Sequence, residues 1–209
     1  MGQLLKEVIR YFEYWLEKRG AGAEHVPSLL TELKSLNSKQ SVQPKNRAVV
    51  GKWFDQTVQA PTSTYCQPLI DEIAISNDQL YWTTVPEDYL GKSFADQFGF
   101  TQLVGPWKTE GEPAVFKSEK IAVGFSLQAP NLFYAPHFHK AQEFYGVLSG
   151  TARWQLGKLK PARFPPGSFI FHDVDVPHAM ETADEPLLCI WAWIGDLDSP
   201  IEVPSHTWL

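Results

Sequence analysis

The sequence predicts a mostly β protein with an α-helical N-terminal part, the β portion closing into a small double-stranded barrel. Three observations carry this. Helical spacing of apolar residues is confined to positions 1–79. From Leu80 onward the chain breaks into short β-like runs punctuated by Gly, Pro, Asp and Ser, which signals a sandwich or barrel. An apolar content of 44%, with eight Trp and thirteen Phe in 209 residues, is enough for a sizeable, aromatic-rich core in one domain with an appendage. Residues 1–79 are therefore expected as a helical cap on a barrel formed by 80–209.

The first element is an amphipathic helix over 3–18. Leu4, Leu5, Val8, Ile9, Tyr11, Phe12, Trp15 and Leu16 recur at helical spacing, with Lys6, Arg10, Glu13 and Glu17 between them. Gly20 and Gly22 end it. A second helix is expected from Pro27-Ser28, with Ser28 as its cap, to about Leu36. Residues 37–48 read as a polar connector, 49–57 as a third helix, and 62–77 as partly helical. His25, alone in a loop, is expected at the surface. This half carries no chemical constellation, so its expected role is a packed cap or a dimer surface, with a lid over a site as the lesser alternative.

The β runs follow in order: Leu80–Thr84, Ala114–Phe116, Ile121–Gln128, Asn131–Tyr134, Glu143–Leu148, Thr151–Gln155, Phe169–His172 and Leu187–Ile194. Leu148-Ser149-Gly150-Thr151 reads as a hairpin turn. Gly105-Pro106, Gly111 to Pro113 and Pro165 to Gly167 are further turns. Residues 86–112 read as a long loop and a candidate lid.

The chemistry centres on His137 to Gly150. His and Glu are side chains that hold mid-series divalent metals. Residues two apart on a strand share a face, so His137 pairs with His139, and Glu143 with Tyr145. A straight strand from His139 to Glu143 would run roughly 13 Å, at about 3.3 Å per residue. Ligands of one ion must each come within about 2 Å of it. The chain must therefore bend near Lys140–Gln142. A fourth ligand comes from elsewhere, and His178 in Asp-Val-Pro-His is the candidate. His172, six residues upstream beside Asp173, competes with it. On 187–194, Cys189, Trp191 and Trp193 share one face, and Leu188, Ile190, Ala192 and Ile194 the other. Both faces are apolar, so alternation does not say which is inside. Asp196, after Gly195, reads as a turn residue.

The net charge of −6 argues against a general nucleic-acid or anionic-membrane binder. No apolar run is long enough to span a bilayer and no leader pattern is present, so the expected location is cytoplasmic. Cys66 and Cys189 are far apart, and two free thiols are expected.

The spacing His-x-His-x3-Glu-x6-Gly at His137, His139, Glu143 and Gly150, with a second run from Gly167 to His178, resembles the two cupin motifs. Asn131 stands where that family opens with glycine, and Asp173-Val174-Asp175 replaces its Pro-x-Gly. The distance from Gly167 favours His178 over His172. Tyr145, Tyr134 and Trp191-Ala-Trp193-Ile-Gly-Asp196 resemble, within the cupins, the dimethylsulfoniopropionate (DMSP) lyases. The named motifs span about 125–197.

The resemblance implies a double-stranded β-helix (cupin) barrel holding one divalent ion (Zn, Fe or Mn) on His137, His139, Glu143 and His178. It also implies a β-elimination that yields acrylate and dimethyl sulfide. It favours the Trp193 face of 187–194 as the inner one. A metal on the substrate carboxylate would stabilise the charge formed on deprotonation. Tyrosine, with a reference pKa of about 10, would need the metal's help to act as base. Tyr145 is the expected base. The sulfonium has no hydrogen-bond donors and suits aromatic faces, for which Tyr134, Trp193 and Trp191 are expected. The expected partner is this zwitterionic small molecule, with a homodimer through the helices as a further expectation. The alternatives are a dioxygenase using the same ligands with iron, a relative with another substrate, or a non-catalytic binding cupin.

Overall fold

The computed structural model describes residues 1–107 and 113–204. Four helices open the chain: α1 (Gly2–Glu17), α2 (Val26–Ser35), α3 (Ala48–Gln59) and α4 (Gln67–Ser76). Each falls where the apolar spacing placed it. The caps differ. Residue 19 of the α1 exit is left-handed Arg19 (φ 51°), ahead of both glycines. Helix α2 starts at Val26 with Pro27 in its first turn, and the Ser28 hydroxyl donates back to the His25 carbonyl at 2.8 Å rather than capping the helix. His25 is half-buried, with its ring stacked 5.1 Å from Phe171.

The remaining elements are β1 (Trp82–Thr83), α5 (Glu87–Leu90), α6 (Lys92–Ala95), β2 (Phe98–Gly105), β3 (Phe116–Lys117), β4 (Ile121–Gln128), β5 (Phe133–His137), β6 (Ala141–Ser149), β7 (Ala152–Leu156), β8 (Ala162–Phe164), β9 (Phe169–His172), β10 (His178–Thr182) and β11 (Leu187–Gly195). They form two sheets. The larger runs β1-β2-β4-β11-β6-β9 with β3 beside β2, and the smaller runs β5-β10-β7-β8. All ladders are antiparallel except β2–β3. This is the double-stranded β-helix expected.

Two expectations need correction. Leu148 to Thr151 does turn, and Gly150 has φ 76°. A side chain there would overlap the Pro186 carbonyl, so glycine is required. Yet β6 pairs with β11 and β9 while β7 pairs with β10 and β8. The turn carries the chain from one sheet to the other and closes no hairpin, a pairing that local turn chemistry cannot report. The second correction concerns 86–112. It contains α5, α6 and all of β2, which pairs antiparallel with β4. Seven of the eight β2 residues are buried, so it lacks the alternation that marks a half-exposed strand. Residues 108–112, including the Gly111 turn, lie outside the described residues. Strands β8 and β10 were also not anticipated.

Strand β11 shows how the layers divide. Leu188, Ile190, Ala192 and Ile194 join one cluster with Val123 and Phe125 of β4, Phe144 of β6, and Phe12, Trp15, Leu29, Leu33 and Ile70 of the helices. Full burial of each such side chain stabilises by about 1.5–3 kcal/mol. Cys189 and Trp191 belong to a second cluster inside the barrel, with Tyr145, Val147, Tyr134, Trp154 and Met180, and Trp193 packs against it. The helices therefore cover the outside of the large sheet. Cys66 and Cys189 are both buried free thiols. No described helix is long and apolar enough to cross a membrane.

Candidate active site

The inner faces of the two sheets enclose a cavity of about 610 Å³, a size suited to a small molecule. Its lining comes from β2, β4, β5, β6 and β11, from His139 between β5 and β6, from Pro106, from Val85 to Tyr89, and from Leu197 to Ile201. None of its described lining residues comes from positions 1–79.

The bend required between His139 and Glu143 is present. Strand β5 ends at His137, Lys140 sits in a bend, and β6 starts at Ala141. His178 opens β10 directly opposite His137. The segment before it turns as the family pattern requires, without its glycine. Asp175 takes the left-handed conformation (φ 58°), and Asn131 does the same (φ 57°) at the other departure. Asn and Asp tolerate that region better than other non-glycine residues. The Asp173 carboxylate further fixes the turn, accepting from the Val174 N–H and from Gln142 Nε2, each at 2.8 Å.

His139, Glu143 and His178 are all buried, and one ligand atom from each lies within 4.8 Å of the other two. They form a group able to hold a metal ion. His137 lies beside this group, its ring centroid 4.2 Å from that of His178 and 6.4 Å from that of His139. The three expected histidine ligands share one arrangement. Nδ1 of His137, His139 and His178 each meets the carbonyl of a residue two positions away, Ala135, Ala141 and Val176, at 2.9–3.0 Å. That contact places a proton on Nδ1 and leaves Nε2 of His137 and His178 with its lone pair, as a metal ligand needs, while Nε2 of His139 turns to Glu143 Oε2 at 3.3 Å. The Nε2 of His178 is buried without a hydrogen-bond partner, 3.3 Å from Glu143 Oε2 but outside hydrogen-bonding geometry. An orphaned buried lone pair of this kind fits a metal, and the donor set is hard-to-borderline N and O.

Charge follows the same division. Burial would raise the Glu143 carboxyl, but His139, and then contacts with His172 and His178, hold it well below the usual carboxylate range. Burial lowers His178 to about 4, and lowers His137 well below the ordinary imidazole value with help from His178. Burial also works against protonation of His139, but Glu143 outweighs it and raises that group. Glu143 is thus an anion facing two neutral imidazoles.

The aromatic candidates are brought to the same cavity. Tyr134, Tyr145, Trp191 and Trp193 all line it. The Tyr134 ring stacks on His137 with centroids 4.0 Å apart, so it also braces an imidazole. Trp193 has a second role that its sequence did not signal. Its indole N–H donates to Glu143 Oε1 at 2.6 Å, and its ring lies 4.4 Å from that of His139. The Trp191 Nε1 and the Ser126 hydroxyl are buried without partners and border the cavity. Trp191 lies opposite Gly124 of β4, where any Cβ would overlap its ring and the Thr101 carbonyl. Burial, then the Glu143 charge, raises the Tyr145 hydroxyl well above the ordinary phenol value, with Ser126 opposing. Asp196 is a turn residue as expected, accepting from Asp198, Ser199 and the Ser199 hydroxyl.

His172, weighed against His178 as a ligand, has both ring nitrogens engaged by protein groups. Nδ1 lies 2.7 Å from Glu143 Oε2, and Trp154 Nε1 donates to Nε2 at 3.0 Å. Phe98, Phe100, Gln102 and Ser126 also line the cavity; the first three lacked any sequence signal because β2 itself was unrecognised, and Ser126 sits on a recognised strand without a motif around it.

Comparison with known proteins returned consistent matches. The family profile described as dimethylsulfoniopropionate lyase matches residues 23–189. The curated dimethylsulfoniopropionate lyase DddQ of Ruegeria pomeroyi DSS-3 is 36% identical over 110 residues, 53% of this chain and 52% of that protein. The aligned segment thus spans about half the length of that curated relative. A chain from the crystal structures of the DMSP lyases RdDddP and RnDddQII superposes with a TM-score of 0.75 at 25% identity, covering 97% of this chain and 98% of that one. The crystal structure of DddQ from Ruegeria pomeroyi DSS-3 gives 0.71 at 25% identity, covering 94% and 98%.

Proposed function

The chain belongs to the dimethylsulfoniopropionate lyase family, and from that premise we propose that it splits DMSP into acrylate and dimethyl sulfide in a metal-dependent β-elimination. One observation carries the reading: His139 and Glu143, which group with His178 as possible metal ligands, line a single cavity together with Tyr145, Trp191 and Trp193.

His139, Glu143 and His178 would hold the ion, with His137 as the fourth ligand through its Nε2. When bound, a divalent ion supplies Lewis-acid stabilisation to the substrate carboxylate and favours the phenolate of a neighbouring tyrosine. Zn, Fe and Mn all suit this donor set. The cavity supports a cationic end for the substrate. Among its described lining residues there is no Lys or Arg, while Asp88 and Asp198 are present. Trp191, Trp193 and Tyr134 offer aromatic faces to a sulfonium, which cannot accept or donate a hydrogen bond.

Tyr145 is the base. Its oxygen takes the proton from the carbon next to the carboxylate. The C–H electrons form the new C=C bond, the C–S bond breaks with its pair on sulfur, and dimethyl sulfide leaves neutral. Burial and Glu143 both oppose a phenolate at Tyr145, so the base depends on a nearby positive charge. Ser126 opposes that shift and would steady the phenolate. The buried free thiols suit a reducing compartment, and the cytoplasm is our reading.

The test is headspace gas chromatography of purified protein loaded with Zn, Fe or Mn and incubated with DMSP, beside His139→Ala. Metal-dependent dimethyl sulfide at catalytic turnover, absent from the variant, is expected. No gas from protein shown to hold its ion would move the activity to another substrate, with oxygen consumption as the next assay.

A further inference from the structure

His172 is a buried titratable group of the barrel interior that the reaction does not use. Its residue exposure is 0%, it stands directly opposite Glu143 in the β6–β9 ladder, and it touches two members of the metal group. An indole N–H can only donate. Trp154 Nε1, 3.0 Å from His172 Nε2, therefore requires a lone pair on that nitrogen. A neutral ring must then carry its proton on Nδ1, which points at Glu143 Oε2 over 2.7 Å. The other oxygen, Oε1, receives the Trp193 N–H at 2.6 Å. Oε1 is thus fixed by the Trp193 N–H and Oε2 by the His172 N–H, with His139 Nε2 a longer 3.3 Å from Oε2. The same His172 ring lies flat on His178, with centroids 3.7 Å apart and planes 15° apart, so it also limits how that imidazole can rotate.

We propose that His172, held as the Nδ1–H tautomer by Trp154, is a positioning residue that fixes Glu143 and His178 for metal binding. This rests on the reading of His139, Glu143 and His178 as a metal centre. Hydrogen bonds to ligating carboxylates orient them, and their loss commonly lowers metal affinity by about 10–100-fold. Trp154 acts one step further out. It comes from β7 of the smaller sheet while Glu143 and His172 belong to the larger, so the chain Trp154–His172–Glu143 ties the two sheets together at the site.

The experiment is Zn affinity of the whole chain by competition with a chromophoric chelator, with the Co(II) absorption spectrum at saturating metal as a second readout. His172→Phe keeps a flat ring against His178 and removes the donor. It should weaken Zn binding by about 10–100-fold and shift the Co(II) bands. His172→Asn, whose amide nitrogen stands near the Nδ1 position, should recover most of the affinity. Trp154→Phe leaves His172 free to place its proton on either nitrogen and should weaken binding by less than His172→Phe. It carries the test by itself if His172→Phe does not fold. Rescue by Asn distinguishes positioning from mere packing, because Asn restores the donor but not the ring. Unchanged affinity and spectrum in the folded variants, or equal losses in His172→Phe and His172→Asn, would overturn this inference alone. A wild-type chain that binds neither Zn nor Co(II) would overturn the metal centre and this inference with it.

Discussion

The two faces of β11 read alike in the sequence and do opposite work. Leu188, Ile190, Ala192 and Ile194 meet the helices in a continuous apolar layer. Cys189, Trp191 and Trp193 face the barrel interior, where polar atoms stand unpaired: Trp191 Nε1 and the Ser126 hydroxyl at the cavity, and His178 Nε2 beside Glu143. A buried polar atom without a partner costs about 1–3 kcal/mol. The first face is finished by packing. The second is completed only by what binds there. Stability should therefore be concentrated on the outer side of the large sheet and activity on the inner.

The sharpest way to break this division is Tyr145→Phe. Loss of the base should lower turnover by about 10²–10⁴-fold while the protein keeps its metal and its melting temperature; dimethyl sulfide release and metal analysis check both. Normal turnover would remove Tyr145 as the base. Phe144, its neighbour on the opposite face, is fully buried against Phe12, Trp15 and Phe171. Phe144→Ala should cost about 3–5 kcal/mol of stability by denaturant titration, with KM of the folded fraction unchanged. A large KM change there would mean that the two faces are coupled.

Trp191→Ala should weaken substrate binding by about 1–2 kcal/mol through the lost sulfonium–aromatic contact, read as a rise in KM with metal content intact. Trp193→Ala is expected to do the same, but it also removes the N–H on Glu143 Oε1. Trp193→Phe separates the roles, keeping the ring face for the substrate and losing only the metal-side donor. If KM rises in Trp193→Phe as much as in Trp193→Ala, the ring face is not the substrate contact. The smallest effect is expected at the turn before His178. Asp175→Gly should change stability by less than about 1 kcal/mol, because glycine's freedom offsets the strain it relieves, and Zn affinity should stay within a factor of about two of wild type. A larger affinity loss would show that the Asp175 side chain does more than accept a left-handed backbone.

Much of this molecule follows from short-range pattern. The spacing of Leu4, Val8, Phe12 and Trp15 dictates an amphipathic helix, and the distance from His139 to Glu143 dictates a bend. Asn131 and Asp175 interrupt the family pattern yet supply the one backbone conformation those positions need. The fold class, most element positions and the grouping of His137, His139, Glu143 and Tyr145 were legible for that reason. Strand β2 was not, because burial on both faces erases alternation. The turn at Gly150 was visible, but its partner strands were not, since a turn records its own dihedrals and not which sheet each flank joins. The inner face of β11 could not be assigned from an alternation of apolar with apolar. Deciding it required the helices to occupy one side of the sheet. His172 shows the limit most clearly. Its sequence neighbours leave it a competitor of His178 as a metal ligand, set aside only by the motif's distance from Gly167. Only the tertiary structure sets Trp154 against one of its nitrogens and Glu143 against the other, because hydrogen bonds between strands of different sheets depend on how the barrel closes.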